Sequence, residues 1–386
     1  MKIGMFTDSY RPYTSGVVRS IETTSAKLTE LGHEVYIFAP SYPKYEKETH
    51  VFRFVSIPTP THPEFTIALP FSLYLRQTIK RIGLDIIHVH SPFSLGLLGA
   101  RYARRYGLPL VFTYHTMYDQ YVHYLPFAHG ISRRMVLRLS QNFCNRCDLV
   151  ITPTEVIRNI VGKNIQTQSK AVATGIDIVE FKSANPRWLR ERYGINKDIK
   201  ILLHLGRLGK EKNIGFLLEA YKHIRADKPD TCLVIVGEGS EKEALQQEAV
   251  KHGIDSSVIF TGALSRSNVV DSYAGADIFI FASTTETQGI VLGEAKAAGL
   301  PAVAVKALGA SEMVKDGVDG FLTPLSMSEY VSRVIQLLDD EALRRTMSAQ
   351  AIVESNNISA IAMAEKLAGA YEEIAREKKR RKFSAV

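Results

Sequence analysis

The sequence predicts an α/β protein of two doubly wound units in tandem, each a parallel sheet covered by helices on both faces. Three observations carry that prediction. Short apolar runs alternate with segments at helical spacing, as strands buried on both faces require. The alternation runs twice, broken at residues 174 to 198 by the looser stretch "TGIDIVEFKSANPRWLRERYGINKD". The chain has 386 residues, 45% hydrophobic and 23% charged, which is enough length and apolar mass for two cores.

The elements follow in order. "KIGMFTD" opens the first series as a strand, and "SIETTSAKLTELGH" follows as a helix. "EVYIFAP" and "DIIHVHS" are strands, "SLGLLGARYARRYG" a helix, and "PLVFTYH", "DLVITPT" and "AVATGID" complete the sheet. The second series supplies "KILLHLGR", "CLVIVGEG", "SVIFTGA", "DIFIFAS" and "PAVAVKA", with helical segments between. The expected domains are 1–180 and 181–365, with 366–386 a helix and basic tail placed to pack back on the first domain. Ligands of such sheets collect at the carboxyl ends of the strands, so facing domains would put the site in the cleft between them.

Composition removes several function classes. Three cysteines, Cys144, Cys147 and Cys232, imply no disulfide framework. Cys144 and Cys147 form C-x-x-C, but without a second pair or a His cluster zinc is disfavoured and simple packing is expected. Polar Thr7 and Asp8 come too early for the apolar core of a signal peptide, and no run approaches the ~18 apolar residues of a membrane span. The expected location is cytoplasmic. Residues 1–180 hold 20 Lys and Arg against 13 Asp and Glu, so a net +7 of the chain's +8 lies there. Such an excess suits an anionic partner (nucleic acid, a phosphorylated ligand or an anionic membrane) or merely a mildly biased solvated surface.

The strand ends carry the chemistry. After the first strand, Ser15 and Gly16 lead into a helix, where backbone N–H groups can approach an anion; from this stretch alone a plain helix-initiating turn is the favoured reading. "VGEGSEKEAL" has Lys242 where a dinucleotide loop needs its third glycine, so no nicotinamide site is expected. Arg207 and Lys212 follow "ILLHLG" and can neutralise a diphosphate, Arg as a planar fork and Lys as a point charge, or be two solvated loop cations. The sharpest signal is "ASTTETQGIVLGEAKAAGLPAVA", residues 282–304. Glu286 falls in the loop and Glu294 in the helix, expected about two turns from its start. Amides around Gly289 and Ile290 lie between them. A phosphate on the helix N-terminus, with sugar hydroxyls at one carboxylate and a ribose at the other, would explain the spacing. The plainer alternative makes Glu286 a helix cap and Glu294 a surface or salt-bridged residue. His88 and His90 share one strand face but lack a third ligand nearby, so a structural or acceptor-side role is expected.

On these residues the whole chain resembles the retaining glycosyltransferases of family 4. Glu286 to Glu294 matches the family's E-x(7)-E element, and Gly206, Arg207 and Lys212 match its G-R-x(4)-K element. The N-terminal loop matches loosely, having Gly16 after Ser15 where the family often has two glycines. "TYHTMYDQYVHYL", residues 113–125, and "ETQG" look like the branch that glucosylates diacylglycerol.

The resemblance implies GT-B architecture: two Rossmann-like doubly wound domains facing each other across a cleft. It also implies roles. Arg207 and Lys212 would bind the donor diphosphate and stabilise the charge developing on it. Glu286 would hold hydroxyls of the transferred sugar and Glu294 the ribose. Gly16 and the amides of Gln288, Gly289 and Ile290 would meet the phosphates or sugar, and His115 would reach the sugar from the other domain. Front-face attack would retain configuration without a protein nucleophile, a metal or a cofactor.

The expected activity moves glucose from UDP-glucose to a lipid, 1,2-diacylglycerol, at the inner face of the cell membrane. The alternatives are a GDP-mannose-dependent mannosyltransferase acting on a phosphatidylinositol-type lipid or other glycan acceptor, and a non-catalytic nucleotide-sugar-binding module. An epimerase or phosphorylase would need residues that cannot be assigned. Nucleic acid is not an expected partner. For membrane contact, "PFSLYLRQTIKRIG" and "HGISRRMVLRLSQNF" mix apolar and basic residues at helical spacing. Arg133, Arg134 and Arg138 are the candidate surface contacts, although ordinary amphipathic helices covering a sheet share that pattern. The tail "REKKRRKFSAV" adds further cations.

Overall fold

The structure is a computed structural model that describes residues 1–43, 45, 47–58, 66–72, 74–118 and 133–384. The chain forms two compact units: residues 1–175 with 360–386, and residues 176–359. Unit one carries β1 (Lys2–Phe6), β2 (Glu34–Pro40), β3 (Val51–Phe54), β4 (Ser56–Pro58), β5 (Thr66–Ala68), β6 (Ile86–Val89), β7 (Leu110–Thr113), β8 (Leu149–Thr152) and β9 (Ser169–Ala171). Its main sheet is parallel throughout, in the order β3-β2-β1-β6-β7-β8-β9, while β4 and β5 pair as an antiparallel ribbon.

Unit two carries β10 (Lys200–Leu205), β11 (Thr231–Val236), β12 (Val258–Gly262), β13 (Ile278–Phe281), β14 (Ala302–Val305) and β15 (Gly320–Thr323). The sheet order is β12-β11-β10-β13-β14-β15, again all parallel. Successive strand residues point to opposite faces. Leu202 and Ile280 accordingly enter one apolar cluster, with the helix Ile214–Asp227. Ile201, Leu203, Phe279 and Phe281 enter another, with the helix Ile290–Ala297. Two cores on two faces explain why these strands read as unbroken apolar runs.

Several boundaries differ from the expectation. The divisions fall at 175/176 and 359/360, where 180/181 and 365/366 were expected. Ile176 donates its N–H to the Ile358 carbonyl and bridges to Ser359, which ties both edges of unit two together. The same pairing removes most of "AVATGID" from the first sheet, whose last strand ends at Ala171. β3, β4, β5 and β15 were not anticipated; each is three or four residues long. The C-terminal helix begins at Ala360 and runs to Ser384. Its Ala364, Leu367, Tyr371 and Ile374 share a core with Ile3, Val18, Ile21 and Ile86 of unit one. Lys378 Nζ reaches Asp148 Oδ2 at 2.5 Å, and Glu373 pairs with Lys170, so one cation and one carboxylate of this helix meet opposite charges in the rest of unit one.

Tyr371 is fully buried, and its hydroxyl meets His88 Nδ1 at 2.5 Å. Tyr371→Ala is expected to cost about 3–5 kcal/mol, the usual range for emptying a buried aromatic site. Hydrogen exchange should accelerate in β1 and β6 while β10 and β13 keep their protection. Unchanged exchange in β1 and β6 would place this helix outside the core of unit one.

Candidate functional site

In unit two β10 lies beside β13, yet the helices that follow them pack on opposite faces. Such a switch point opens a crevice at the carboxyl ends of the strands. The loop after β10 brings Arg207 and the short 3-10 turn Lys210–Lys212. The segment after β13 brings Glu286, Gln288 and Gly289 into the helix Ile290–Ala297.

The two loops are stitched together. Lys212 Nζ donates to Glu286 Oε1, with both side chains less than a fifth exposed. Ser283 Oγ donates to the Glu211 carbonyl at 3.0 Å, and Asn213 Nδ2 to the Ala282 carbonyl at 3.4 Å. Arg207 bonds Glu211 Oε1 at 2.6 Å; Glu211 is buried, while 45% of the Arg207 side chain remains exposed. A buried carboxylate therefore steadies a surface guanidinium. Beneath them, burial pushes His204 down to about 4, so this imidazole adds no positive charge at neutral pH.

The glycine-rich turn "VGEG" serves packing. A Cβ on Gly237 would lie 1.9 Å from the Gly206 carbonyl oxygen, and one on Gly239 would lie 2.3 Å from that of Leu208. Leu208 N–H donates to the Glu238 carbonyl at 2.9 Å. The turn thus braces the Arg207 loop from the neighbouring strand.

Gly289 is the N-cap of the next helix, at φ 81, and offers no side-chain cap. Left-handed backbone of this kind favours glycine. Glu286 does not cap the helix; its carboxylate is turned to Lys212, and its carbonyl accepts the Gly309 N–H at 2.9 Å. Gln288 is buried. The helix starts at Ile290, so Glu294 stands just over one turn in, closer than the expected two.

Glu294 is also buried, and its partners were not foreseen. Oε1 accepts from an Arg266 guanidinium nitrogen at 2.6 Å, and Oε2 from the Tyr273 hydroxyl at 3.1 Å. Arg266 also donates Nε and a second guanidinium nitrogen to Glu180 Oε2, at 2.9 and 2.5 Å. Burial opposes the Arg266 charge, but Glu294 and Glu180 hold its pKa above the ordinary value. The one sequence signal was spacing: Arg266 and Tyr273 stand seven apart, two turns along one helix face.

The remaining candidates lie in unit one. Gly16 is the first residue of the helix Gly16–Glu30, and Ser15 caps it by accepting the Val18 N–H at 3.2 Å. Asp8, unmarked in the sequence, performs the same service for another helix start by accepting the Leu95 N–H at 2.8 Å. His115 Nε2 meets His90 Nδ1 at 2.9 Å. Burial pushes His115 down to about 4 and His88 to about 3, so both are neutral near pH 7. Cys144 and Cys147 are buried free thiols, with burial raising Cys144 to about 12.

Arg133, Arg134 and Arg138 fall on the helix Arg133–Cys144. Arg134 and Arg138 are exposed beside Met135 and Leu139, themselves 52% and 54% exposed, while Val136 and Phe143 point into the core. Residues 119–132, which hold most of the stretch 113–125 and the start of the basic segment, lie outside the described residues. Among the described residues no group of three or more His, Cys, Asp or Glu could hold a metal ion, and no helix is long and apolar enough to cross a membrane.

Comparison with known proteins places the chain in a family. Residues 14–180 match the family described as Glycosyltransferase Family 4, and residues 187–354 match Glycosyl transferases group 1. The alpha-monoglucosyldiacylglycerol synthase of Streptococcus pneumoniae is 36% identical over 313 residues, covering 79% of this chain and 71% of its own. The Acholeplasma laidlawii protein of the same name is 30% identical over 370 residues, 92% of each chain. Among solved structures, Anabaena HepE in complex with UDP-glucose superposes with a TM-score of 0.76 over 97% of this chain and 100% of that one. At 20% identity that likeness speaks to the fold alone.

Proposed function

The chain belongs to glycosyltransferase family 4, with the GT-B fold, and on that premise we propose that it moves glucose from UDP-glucose to the membrane lipid 1,2-diacylglycerol. The observation that carries the reading is the Lys212–Glu286 pair beside the helix start at Gly289. Cation, carboxylate and backbone donors at one strand-end crevice suit the diphosphate and the sugar of such a donor. The two diacylglycerol-glucosylating relatives support the choice of sugar and acceptor.

In this reading the bond between glucose C1 and the phosphate oxygen breaks while Arg207 and Lys212 take up the charge left on the diphosphate. Lys212 turns from Glu286 toward a phosphate oxygen, and Glu286 accepts hydroxyls of the sugar. The amides of Gln288, Gly289 and Ile290 serve the phosphates or sugar, and Glu294 serves the ribose. The acceptor oxygen bonds to C1 on the face the leaving group vacates, and its proton passes to the departing phosphate oxygen. Configuration is retained without a protein nucleophile. The two cations neutralise the leaving group, so the reading routes no step through a metal.

The acceptor lies in a bilayer, and unit one supplies the contact in this reading. Arg134 and Arg138 beside exposed Met135 and Leu139 form an interfacial stripe, each basic residue contributing about 1 kcal/mol near an anionic surface. The protein would then be peripheral, on the inner face of the cell membrane.

Mass detection of products from UDP-glucose and diacylglycerol in mixed micelles tests the reaction. A glucosylated diacylglycerol is expected; product from GDP-mannose alone would overturn the donor. Glu286→Ala should lower kcat by about tenfold or more, whereas Glu294→Ala should mainly raise the donor KM. Wild-type kinetics in both variants would remove the donor site from this crevice.

Vesicle sedimentation tests the surface. Binding to anionic vesicles should weaken as salt rises, because such attraction is screened over ~8–10 Å at ordinary ionic strength. Replacing Arg133, Arg134 and Arg138 with Ser should reduce vesicle binding and lipid glycosylation together. A protein that ignores anionic vesicles at low salt would favour a soluble acceptor.

A further inference from the structure

The Arg266 cluster has no part in the motifs that identify the family, yet it grips one of the two motif carboxylates. We infer that Arg266 and Tyr273 are positioning residues: they hold the Glu294 carboxylate in the orientation in which it accepts ribose hydroxyls from the nucleotide. The inference rests on the ribose assignment of Glu294 made above.

Geometry carries it. A carboxylate offers about four acceptor directions on two oxygens. Arg266 takes one direction on Oε1 and Tyr273 one on Oε2, so both oxygens are pinned and the side chain cannot turn about its terminal bond. Arg266 is itself fixed. Its planar guanidinium bonds Glu180 Oε2 twice and lies with its central carbon 5.6 Å from the Phe181 ring centroid. Both Glu180 and Phe181 belong to the 3-10 turn Glu180–Ser183. The Glu294 carboxylate is thus clamped from a neighbouring helix and from that turn.

The charge balance points to the same ligand group. Glu180, Arg266 and Glu294 carry two negative charges and one positive, a net of −1. A cluster of that sign repels phosphate and draws hydroxyl donors. The loop after β10 carries Arg207, Lys210 and Lys212 against Glu211, a net of +2, and still +1 when Glu286 is counted with it. The crevice is therefore sorted by charge along a nucleotide, with cations for the diphosphate and an anionic cluster for the ribose. A clamped carboxylate loses less rotational freedom on binding than a free one, which favours the hydroxyl contacts.

Titration calorimetry of the full chain with UDP and with 2′,3′-dideoxy-UDP tests the inference. The wild type should prefer UDP. Arg266→Met should weaken UDP binding by about tenfold yet leave dideoxy-UDP within about twofold, so that the preference collapses. Arg266→Lys should restore part of it, and the loss with UDP-glucose should fall on KM more than on kcat. Tyr273→Phe removes only a hydroxyl and should narrow the preference in the same direction, which keeps the test open if Arg266→Met folds poorly. Equal weakening of both nucleotides by Arg266→Met and Tyr273→Phe would overturn the inference. Glu294→Gln separates it from the reading beneath. Loss of the preference in Glu294→Gln, with its retention in Arg266→Met and Tyr273→Phe, overturns the clamp alone. Retention of the preference in Glu294→Gln overturns the ribose assignment and the clamp with it.

Discussion

The ion pair between Lys212 and Glu286 is the contact on which the proposed donor site depends. It joins the loop after β10 to the loop after β13, and these strands are neighbours only because the sheet reverses its order there. A lysine and a glutamate mostly withdrawn from water must compensate each other, and removing one leaves the other stranded. The pair therefore fixes both loops before any ligand arrives. An anionic donor offers Lys212 a second partner of the same sign as Glu286. In the proposed reading Lys212 then exchanges one anionic partner for another, and Glu286 takes hydrogen bonds from sugar hydroxyls in place of its lysine.

Around this pair the supporting residues act mainly through backbone. Gly237 and Gly239 let one turn press against the carbonyls of Gly206 and Leu208, where any Cβ would collide. Gly309 does the same for the opposite loop, since a Cβ there would lie 2.0 Å from the Thr287 carbonyl oxygen. Rigid loops on short strands supply the precision that chemistry at a sugar carbon needs. Unit one behaves differently. Its three histidines near the ends of β6 and β7 are kept neutral by burial, which suits hydrogen bonding and not charge.

Much of this was legible in the sequence, for definite reasons. Buried parallel strands must be apolar on both faces, so the two series of strands stood out, and so did the loops at their ends. Glu286, Arg207 and Lys212 were visible because charged residues in the loops after such strands sit where ligands collect, and Glu294 because of its spacing from Glu286 across Gly289. Arg266, Tyr273 and Glu180 were not visible. Arg266 and Tyr273 belong to a segment that reads as an ordinary polar helix and Glu180 to the loose stretch between the two series, and only tertiary packing assembles them around Glu294. The domain boundaries were displaced because the backbone pairing of Ile176 with Ile358 joins residues far apart in sequence. The four-residue strands β3 and β15 were too short to separate from loops by period.

A double-mutant cycle on UDP-glucose binding, using Lys212→Ala, Glu286→Ala and the double variant, tests most directly whether the pair works as a unit. If donor binding exchanges one partner of Lys212 for another, the losses will not add, and the coupling energy will be at least about 1 kcal/mol, within the range for residues in contact. Losses that sum to within about 0.3 kcal/mol, as independent sites do, would contradict the account.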